Sequence, residues 1–436
     1  MQSRSVLSFD VYIVAATLSL VSIGILFIYS SGVTSTGRVF SNEYLRQIIW
    51  AGSGLVLLFA AALAGHSSIR SWAVPFYIAM VILLLITLGF GRVVNGARSW
   101  LGIAGLGIQP SEFAKLASVL ALAVFFERIG PGVKKIPMLL AGSLIMLIPM
   151  GLTLMQPDLG TALVFIPLFL VMAFVAGAHL RHIAYVVIVF GLTAVLSVVP
   201  AWERQIYDGS IPIVSVLTRP EVLLIVVVSL AAVVAVTFVG FVSTKRRYFY
   251  WITYAFSILL LGLVGSIGVR EVLAEYQMTR LIVFLDPYAD PRGAGWNIIQ
   301  SVTAVGSGGF TGKGFLQGTQ SHYQYIPQQS TDFIFSILAE EWGFIGGLAV
   351  FALFLVILMR GLYIVQTARD NFSALIATGI VALIFFHFAV NVGMAIGVMP
   401  ITGIPLFFLS HGGSALWTAM LGVGLLLNVH HNRYHY

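Results

Sequence analysis

The chain has 436 residues, of which 59% are apolar and 9% charged, against roughly 25% charged in an average soluble domain. That composition excludes a soluble enzyme, a nucleic-acid reader and a disordered protein, and the absence of cysteine excludes disulfides and thiolate chemistry. The formal charge of +7 is carried mostly by cations lying between apolar runs, where orientation in a membrane accounts for them better than nucleic acid does.

Apolar runs of about 17–25 residues are long enough to cross a bilayer as helices. Twelve are predicted, near 10–31, 46–64, 72–91, 112–127, 137–154, 159–177, 182–200, 222–242, 249–268, 333–359, 372–396 and 406–429. The first follows Arg4 and is too long for a signal-peptide core, so it is read as a retained span. The even number puts both termini on one side of the membrane.

Charge bias selects that side. With cytoplasmic termini the inner segments hold Arg4, Arg70, Arg128, Lys134, Lys135, Arg181, Lys245, Arg246, Arg247, Arg360, Arg369 and Arg433. The outer segments, apart from the long loop 269–332, hold Arg38, Arg46, Arg92, Arg98, Arg204 and Arg219. Twelve against six favours cytoplasmic termini. The predicted fold is therefore an all-α polytopic integral membrane protein of about 12 transmembrane helices.

Residues 269–332 interrupt the pattern on the outer side. A connection this long is usually functional or disordered, and Phe284, Trp296, Phe310, Phe315, Tyr323 and Tyr325 give this one aromatic surface to bury. Eight glycines between Pro291 and Gly318 allow tight turns and close backbone approach. Short helices and turns packed on the membrane domain are expected there, with most of the chemistry.

Scarce charge makes the sixteen acidic residues a short inventory. Asp10, Glu43, Glu127 and Asp370 lie at span ends and are expected to be solvated, as are Glu203, Asp208 and Glu221 in an outer connection. Ser111 is the expected N-cap of the fourth span. Glu112 and Lys115 share a helical face, and an intramembrane Lys marks a functional site with a partner. That partner is either Glu112 or an acid of another segment. Asp158 suits an N-cap, and Asp286-Pro287 and Asp290-Pro291 form rigid turns. Asp332 is a suitable N-cap in line with Ser336 and Glu340, and Glu340 lies two turns deep. His430, His431 and His435 are expected in a solvated tail. Carboxylates near cations and aromatic surface at a membrane boundary suit an amphiphilic substrate. An Asp can serve as general base, and Lys, Arg or a divalent cation, magnesium or manganese, can stabilise a pyrophosphate. No Walker or HExxH signature is present.

The motifs NGARSWL, QPSEFAKL, QPDLGTA, FLDPYADPRGAGWNIIQS, VGSGGFTGKGFLQGTQS, STDFIFSILAEEWG and MPITGIPLFFLSHGGSA follow one another along nearly the whole chain. In that order they resemble the SEDS family (shape, elongation, division and sporulation). GTQS and NVGMAIGVMPITGIPL are closer to its rod-elongation member than to its division member. The resemblance implies a peptidoglycan glycosyltransferase polymerising lipid II on the outer face of the bacterial inner membrane. A class B penicillin-binding protein and elongation-complex membrane proteins are the implied partners. It maps the essential acid onto Asp290, the lysine thought to contact it onto Lys115, and an aromatic site residue onto Trp100. Glu112, Asp158, Arg280, Asp332, Ser410 and Gly412 are candidate substrate-binding residues, Arg280 for the pyrophosphate. The family usually has ten spans, so 203–268 reads as an inserted helical hairpin before a catalytic loop at 269–332. Where the family often shows PE-x-HTDF, this chain has Pro327-Gln328-Gln329-Ser330-Thr331-Asp332-Phe333, without the Glu and His. A lipid II flippase is the alternative activity, with polar groups such as Glu112, Lys115, Glu340 and Glu341 lining a path.

Overall fold

The structure is a computed structural model. It describes residues 9–94, 96–103, 106–205, 207, 211, 214, 217–272 and 275–433. Arg4, Asn95, Asp208 and His435 lie outside the described residues.

Among those residues, eleven helices are long and apolar enough to cross a membrane. They belong to two compact units, one made of Met1–Ala178 with Asn297–Tyr436 and the other of His179–Trp296. In the first unit the long helices are α1 Val11–Ser31, α2 Glu43–Leu63, α3 His66–Phe90, α4 Pro110–Ile129 and α5 Ile136–Met155. The expected span at 159–177 is shorter than predicted. It is broken into α6 Leu159–Leu163 and α7 Phe165–Val175, an apolar stretch of 17 residues or fewer.

The second unit contains α8 Leu180–Gln205, α9 Pro220–Thr244 and α10 Arg247–Val272, with α9 and α8 both packed on α10. Mean hydropathy is highest in α9, only 6% of which is buried by protein. A helix apolar on all sides and so little covered is a lipid-facing helix. Thr253 Oγ1 donates to Thr237 Oγ1 at 2.9 Å, and Tyr185 Oη donates to Ser257 Oγ at 3.0 Å. These bonds satisfy hydroxyls that lipid cannot. The predicted hairpin 203–268 corresponds to α9 and α10. The short helix α11 Glu275–Leu285 and a 3-10 turn at Pro287–Ala289 follow, and α12 Ala294–Ser307 begins at the end of this unit.

The first unit continues with α13 Thr319–His322, α14 Ile334–Thr367, α15 Asn371–Ala395 and α16 Gly413–Asn432. Helix α16 packs along α2, α14 along α15 and α1, and α3 along α4. The segment 269–332 thus carries the short helices expected of it. The span expected at 406–429 starts seven residues late, because 396–412 is an irregular return stretch. Its backbone finds partners outside any helix, as Asn391 Nδ2 donates to Ile404 O at 2.8 Å and Leu406 N donates to Ser410 Oγ at 2.8 Å. Irregular backbone at membrane depth persists only when protein satisfies it in this way.

Helix α14 is broken at Gly343, where φ is 63°. The loop before it repairs the break. Lys313 N and Gly314 N donate to Glu340 O and Glu341 O, both at 3.0 Å. Beyond the kink, Phe344 N and Ile345 N donate to Gly309 O and Phe310 O at 2.9 and 3.2 Å. Any Cβ at Gly343 would strike the backbone of Phe310 and Gly312, which is why AEEWG meets VGSGGFTGKG through glycines.

Several polar residues depart from expectation. Asp10 is buried rather than solvated. It caps α1 and accepts from Arg360 Nε at 2.7 Å. Glu127 pairs with Arg70 at 2.8 Å, and Asp370 caps α15 through Ser373 N while pairing with His66 at 3.1 Å. Ser111 is not an N-cap, since Pro110 takes the first helical position, where its missing N–H costs nothing. The N-cap of α14 is Phe333, so Asp332 does not cap it. His430 lies within α16 and is buried, so that helix outlasts the predicted solvated tail.

Candidate active site

Small antiparallel pairings lead into α4. Strands β1 Arg92–Val94, β2 Ala97–Ile103 and β3 Leu106–Ile108 form a three-stranded sheet between α3 and α4. Trp100 lies on β2 opposite Arg92, and its ring covers Gly107 so closely that a Cβ there would meet Cε3 at 2.8 Å. Gln109 follows, with its N–H on Ser414 Oγ at 2.9 Å and its Nε2 on Asp158 Oδ2 at 2.9 Å. The other oxygen of Asp158 accepts from Thr161 N at 3.1 Å, so this carboxylate caps α6 and holds Gln109 as well. Gly160 lies against Thr402 O with no room for a side chain, which joins QPDLG to PITGIP.

Lys115 is fully buried one turn into α4. Its ammonium donates to Glu112 Oε1 at 2.7 Å and to His387 Nε2 at 2.9 Å, with the Phe407 ring 5.8 Å away. Of the two alternatives for its partner, the local Glu112 is therefore present, and His387 adds a second. A buried ammonium without acceptors would be far costlier than this arrangement. Glu112 Oε2 and Ser111 Oγ are buried without a hydrogen-bond partner among the described residues.

The return stretch binds the 330–332 corner. Asn391 Nδ2 donates to Asp332 O at 2.9 Å, Ser410 Oγ donates to Thr331 O at 2.5 Å, and His411 N donates to Ser330 O at 2.8 Å. Gln47 clasps the same stretch from α2, donating to Ser410 O at 3.1 Å and accepting from Gly412 N at 3.2 Å. The polar groups of Ser410 and Gly412 named here are thus engaged by protein. The structure brings Glu112, Lys115, Asp158, Asp332, Ser410 and Gly412 into one network around residues 400–412. His387, Asn391, Gln47 and Gln109 were missed by sequence reasoning. For His387 and Asn391 a signal existed, a polar side chain inside an apolar span.

Glu340 and Glu341 anchor the loop. Glu340 accepts from Thr319 N, Gln320 N and Lys313 Nζ at 2.8, 2.9 and 2.7 Å. Glu341 accepts from Ser30 Oγ at 2.5 Å and Leu316 N at 3.1 Å, with His322 Nε2 3.5 Å away. His322 Nδ1 lies 2.6 Å from Val33 O and must donate to it, so neutral Nε2 turns a lone pair toward a carboxylate. The Glu341 carboxylate accordingly raises the His322 pKa above its ordinary 6.5, against the opposing effect of burial. Between α12, α14 and α15 lies an apolar cleft of about 340 Å³, lined by Gly306, Phe335, Ala339, Gly343, Phe351 and Val392 among others.

In the second unit, Asp286 caps the 3-10 turn by accepting from Tyr288 N at 2.9 Å. Asp290 forms the next corner, accepting from Gly293 N on Oδ1 at 3.0 Å and from Gly295 N on its carbonyl at 3.0 Å. A Cβ at Gly293 would land on the Asp290 carboxylate, and one at Gly295 on Pro287 O. Both glycines of DPYADPRGAG are therefore required by close approach. Asp290 remains partly exposed, and Arg280 is half-buried on α11. Among the described residues no three His, Asp or Glu side chains converge to hold a metal ion. Magnesium commonly takes only one or two carboxylates and completes its shell with substrate phosphate and water, and single carboxylates such as Asp290 suit that mode.

A family model described as cell cycle protein, FtsW/RodA/SpoVE, matches residues 11–207 and 209–435. The chain belongs to that family. It is 48% identical over 432 residues to the peptidoglycan glycosyltransferase RodA of Treponema pallidum (strain Nichols), covering 98% of this chain and 99% of that one. A solved chain from a peptidoglycan synthase complex that coordinates polymerization and crosslinking matches with a TM-score of 0.68 and 28% identity, over 99% of this chain and all of that one. The crystal structure of the rod shape determining protein RodA of Thermus thermophilus matches with a TM-score of 0.61 and 26% identity, over 99% of each chain. The family is thus the one expected from the motifs, and the chain is a multi-pass membrane protein.

Proposed function

We propose that the chain is a peptidoglycan glycosyltransferase that polymerises lipid II into β-1,4 glycan strands during cell elongation. The observation that carries this reading is the near full-length identity of 48% to a protein of that activity. The partly exposed Asp290 carboxylate, held by the Gly293 N–H while the Gly295 N–H holds its backbone carbonyl, supports it. The apolar cleft also suits an amphiphilic substrate.

Asp290 takes the proton of the acceptor sugar 4-hydroxyl as its oxygen attacks the anomeric carbon of the lipid-linked donor. The new glycosidic C–O bond forms with inversion as the bond to the pyrophosphate breaks, and undecaprenyl pyrophosphate leaves. Arg280 offsets the charge gathering on that pyrophosphate. Lys115 and Trp100 are assigned to the same chemistry by the motifs that carry them, SEFAKL and NGARSW. Glu112, Asp158, Asp332, Ser410 and Gly412 shape the substrate-binding wall. A divalent cation, magnesium or manganese, supplies further charge to the pyrophosphate when bound. The catalytic loop faces outward from the bacterial inner membrane, both termini are cytoplasmic, and a class B penicillin-binding protein crosslinks the product. Excess cations on the inner segments support that orientation, and the likeness to a chain of a synthase complex supports the partner.

The test is polymerisation of purified lipid II, with a divalent cation and the partner transpeptidase, read as glycan ladders on a gel. The unsubstituted chain is expected to produce ladders and Asp290→Asn to abolish them. Ladders from Asp290→Asn equal to those of the unsubstituted chain would remove Asp290 from the chemistry. Exchange of labelled lipid II between leaflets without any ladder would favour the flippase instead.

A further inference from the structure

We propose that His387 is a positioning residue for the glycosyl transfer, holding the Lys115 ammonium in its working orientation from α15. The inference rests on the glycosyltransferase reading. It starts from hydrogen-bond bookkeeping at one buried cation. A lysine ammonium has three donors and no acceptor capacity. One donor of Lys115 goes to Glu112 Oε1 at 2.7 Å, on its own helix. A second goes to His387 Nε2 at 2.9 Å, on α15.

His387 can accept only in one tautomer, and the structure selects it. Its Nδ1 lies 2.9 Å from Pro405 O, and a carbonyl accepts, so the proton sits on Nδ1. Nε2 then presents its lone pair to Lys115. The ring is also held flat against Phe407, with centroids 3.7 Å apart and planes 16° from parallel. Both Lys115 and His387 are fully buried, so water does not substitute for either contact. Three separate parts of the chain thereby meet: α4 through Lys115, α15 through the imidazole, and the return stretch through Pro405 and Phe407.

With two donors tied in different directions, the ammonium cannot swing about its flexible stem. Glu112 alone would leave the ammonium free to rotate about that single contact. Misplacement of a catalytic group by about 1 Å costs on the order of 100-fold in rate. His387 therefore acts through Lys115 and not on substrate itself.

Two substitutions separate this role from simple structural support. His387→Gln reaches the Nε2 position with an acceptor and gives up the bond to Pro405. His387→Asn keeps a donor where Nδ1 stood and gives up the acceptor for Lys115. Each variant is purified with its transpeptidase partner, checked for thermal unfolding, and assayed on lipid II. His387→Asn is expected to lose roughly 10- to 100-fold in kcat with KM within about twofold. His387→Gln should stay within about threefold of the unsubstituted chain. A purely structural imidazole, anchoring Pro405, predicts the reverse order. Equal kcat for all three proteins, or Asn more active than Gln, would overturn the proposal. An unsubstituted complex that makes no glycan would overturn the glycosyltransferase reading, and this inference with it.

Discussion

Replacing Glu340 with Gln tests how the outer loop is held. The side chain is 0% exposed and takes bonds from Thr319 N, Gln320 N, Ser321 N and Lys313 Nζ, at 2.8, 2.9, 3.3 and 2.7 Å. Glutamine has the same shape, but one of its oxygens becomes an NH2 group facing donors, and the charge opposite Lys313 disappears. Breaking a buried ion pair costs about 3–5 kcal/mol. Lys313 is 27% exposed and recovers part of its hydration, so the lower end, about 3 kcal/mol, is expected. Two measurements read it: denaturant unfolding in mixed micelles, and the rate of trypsin cleavage after Lys313, which should rise as the 313–321 loop opens. A variant within about 0.5 kcal/mol of the parent, with unchanged cleavage, would refute the view that Glu340 organises the loop.

The His322–Glu341 contact should make stability depend on pH. Because the folded pKa of His322 is raised above 6.5, its stabilising contribution is complete below pH 6.5 and is lost as pH rises through the folded value. The thermal midpoint of the parent should fall over that interval, and the His322→Gln variant should not share that component. Parallel curves for the two proteins would refute it. Gly293→Ala should lower glycan synthesis at least about tenfold by displacing the Asp290 carboxylate. Its thermal midpoint should stay near that of the parent, since the corner at 290–293 is partly exposed. Undiminished ladders would show that the turn tolerates a Cβ.

Local features are legible in the sequence. The spacing of Glu112 and Lys115 marked their contact as one of two alternatives for the lysine, because residues three apart on a helix are neighbours regardless of what surrounds them, and the contact is present. Asp158 was recognisable at a helix start and caps the helix that follows, whereas Asp370, expected only to be solvated at a span end, caps one as well. Asp332 failed the same test because Phe333 takes the cap position, a choice made by the packing of the 328–333 turn. Ser111 failed because Pro110 is the better first residue. The break in α14 was hidden within an apolar run that reads as one continuous span. Only the loop's N–H and C=O groups, placed beside Gly343 by the fold, make the interruption affordable in a membrane.

Composition and motif order by themselves determined a polytopic membrane protein, its family, and the short roster of charges worth examining. Hydropathy and helical spacing are properties of consecutive residues, so they survive without a fold. Tertiary structure alone decided what those charges touch. Lys115 and His387 are 272 residues apart in the chain and 2.9 Å apart in space. Asp10 and Arg360 are separated by 350 residues and form an ion pair in which the carboxylate is buried and the guanidinium half-buried. A buried charge is stabilised by the acceptors that helix packing brings to it, and no local pattern encodes which distant helix supplies them.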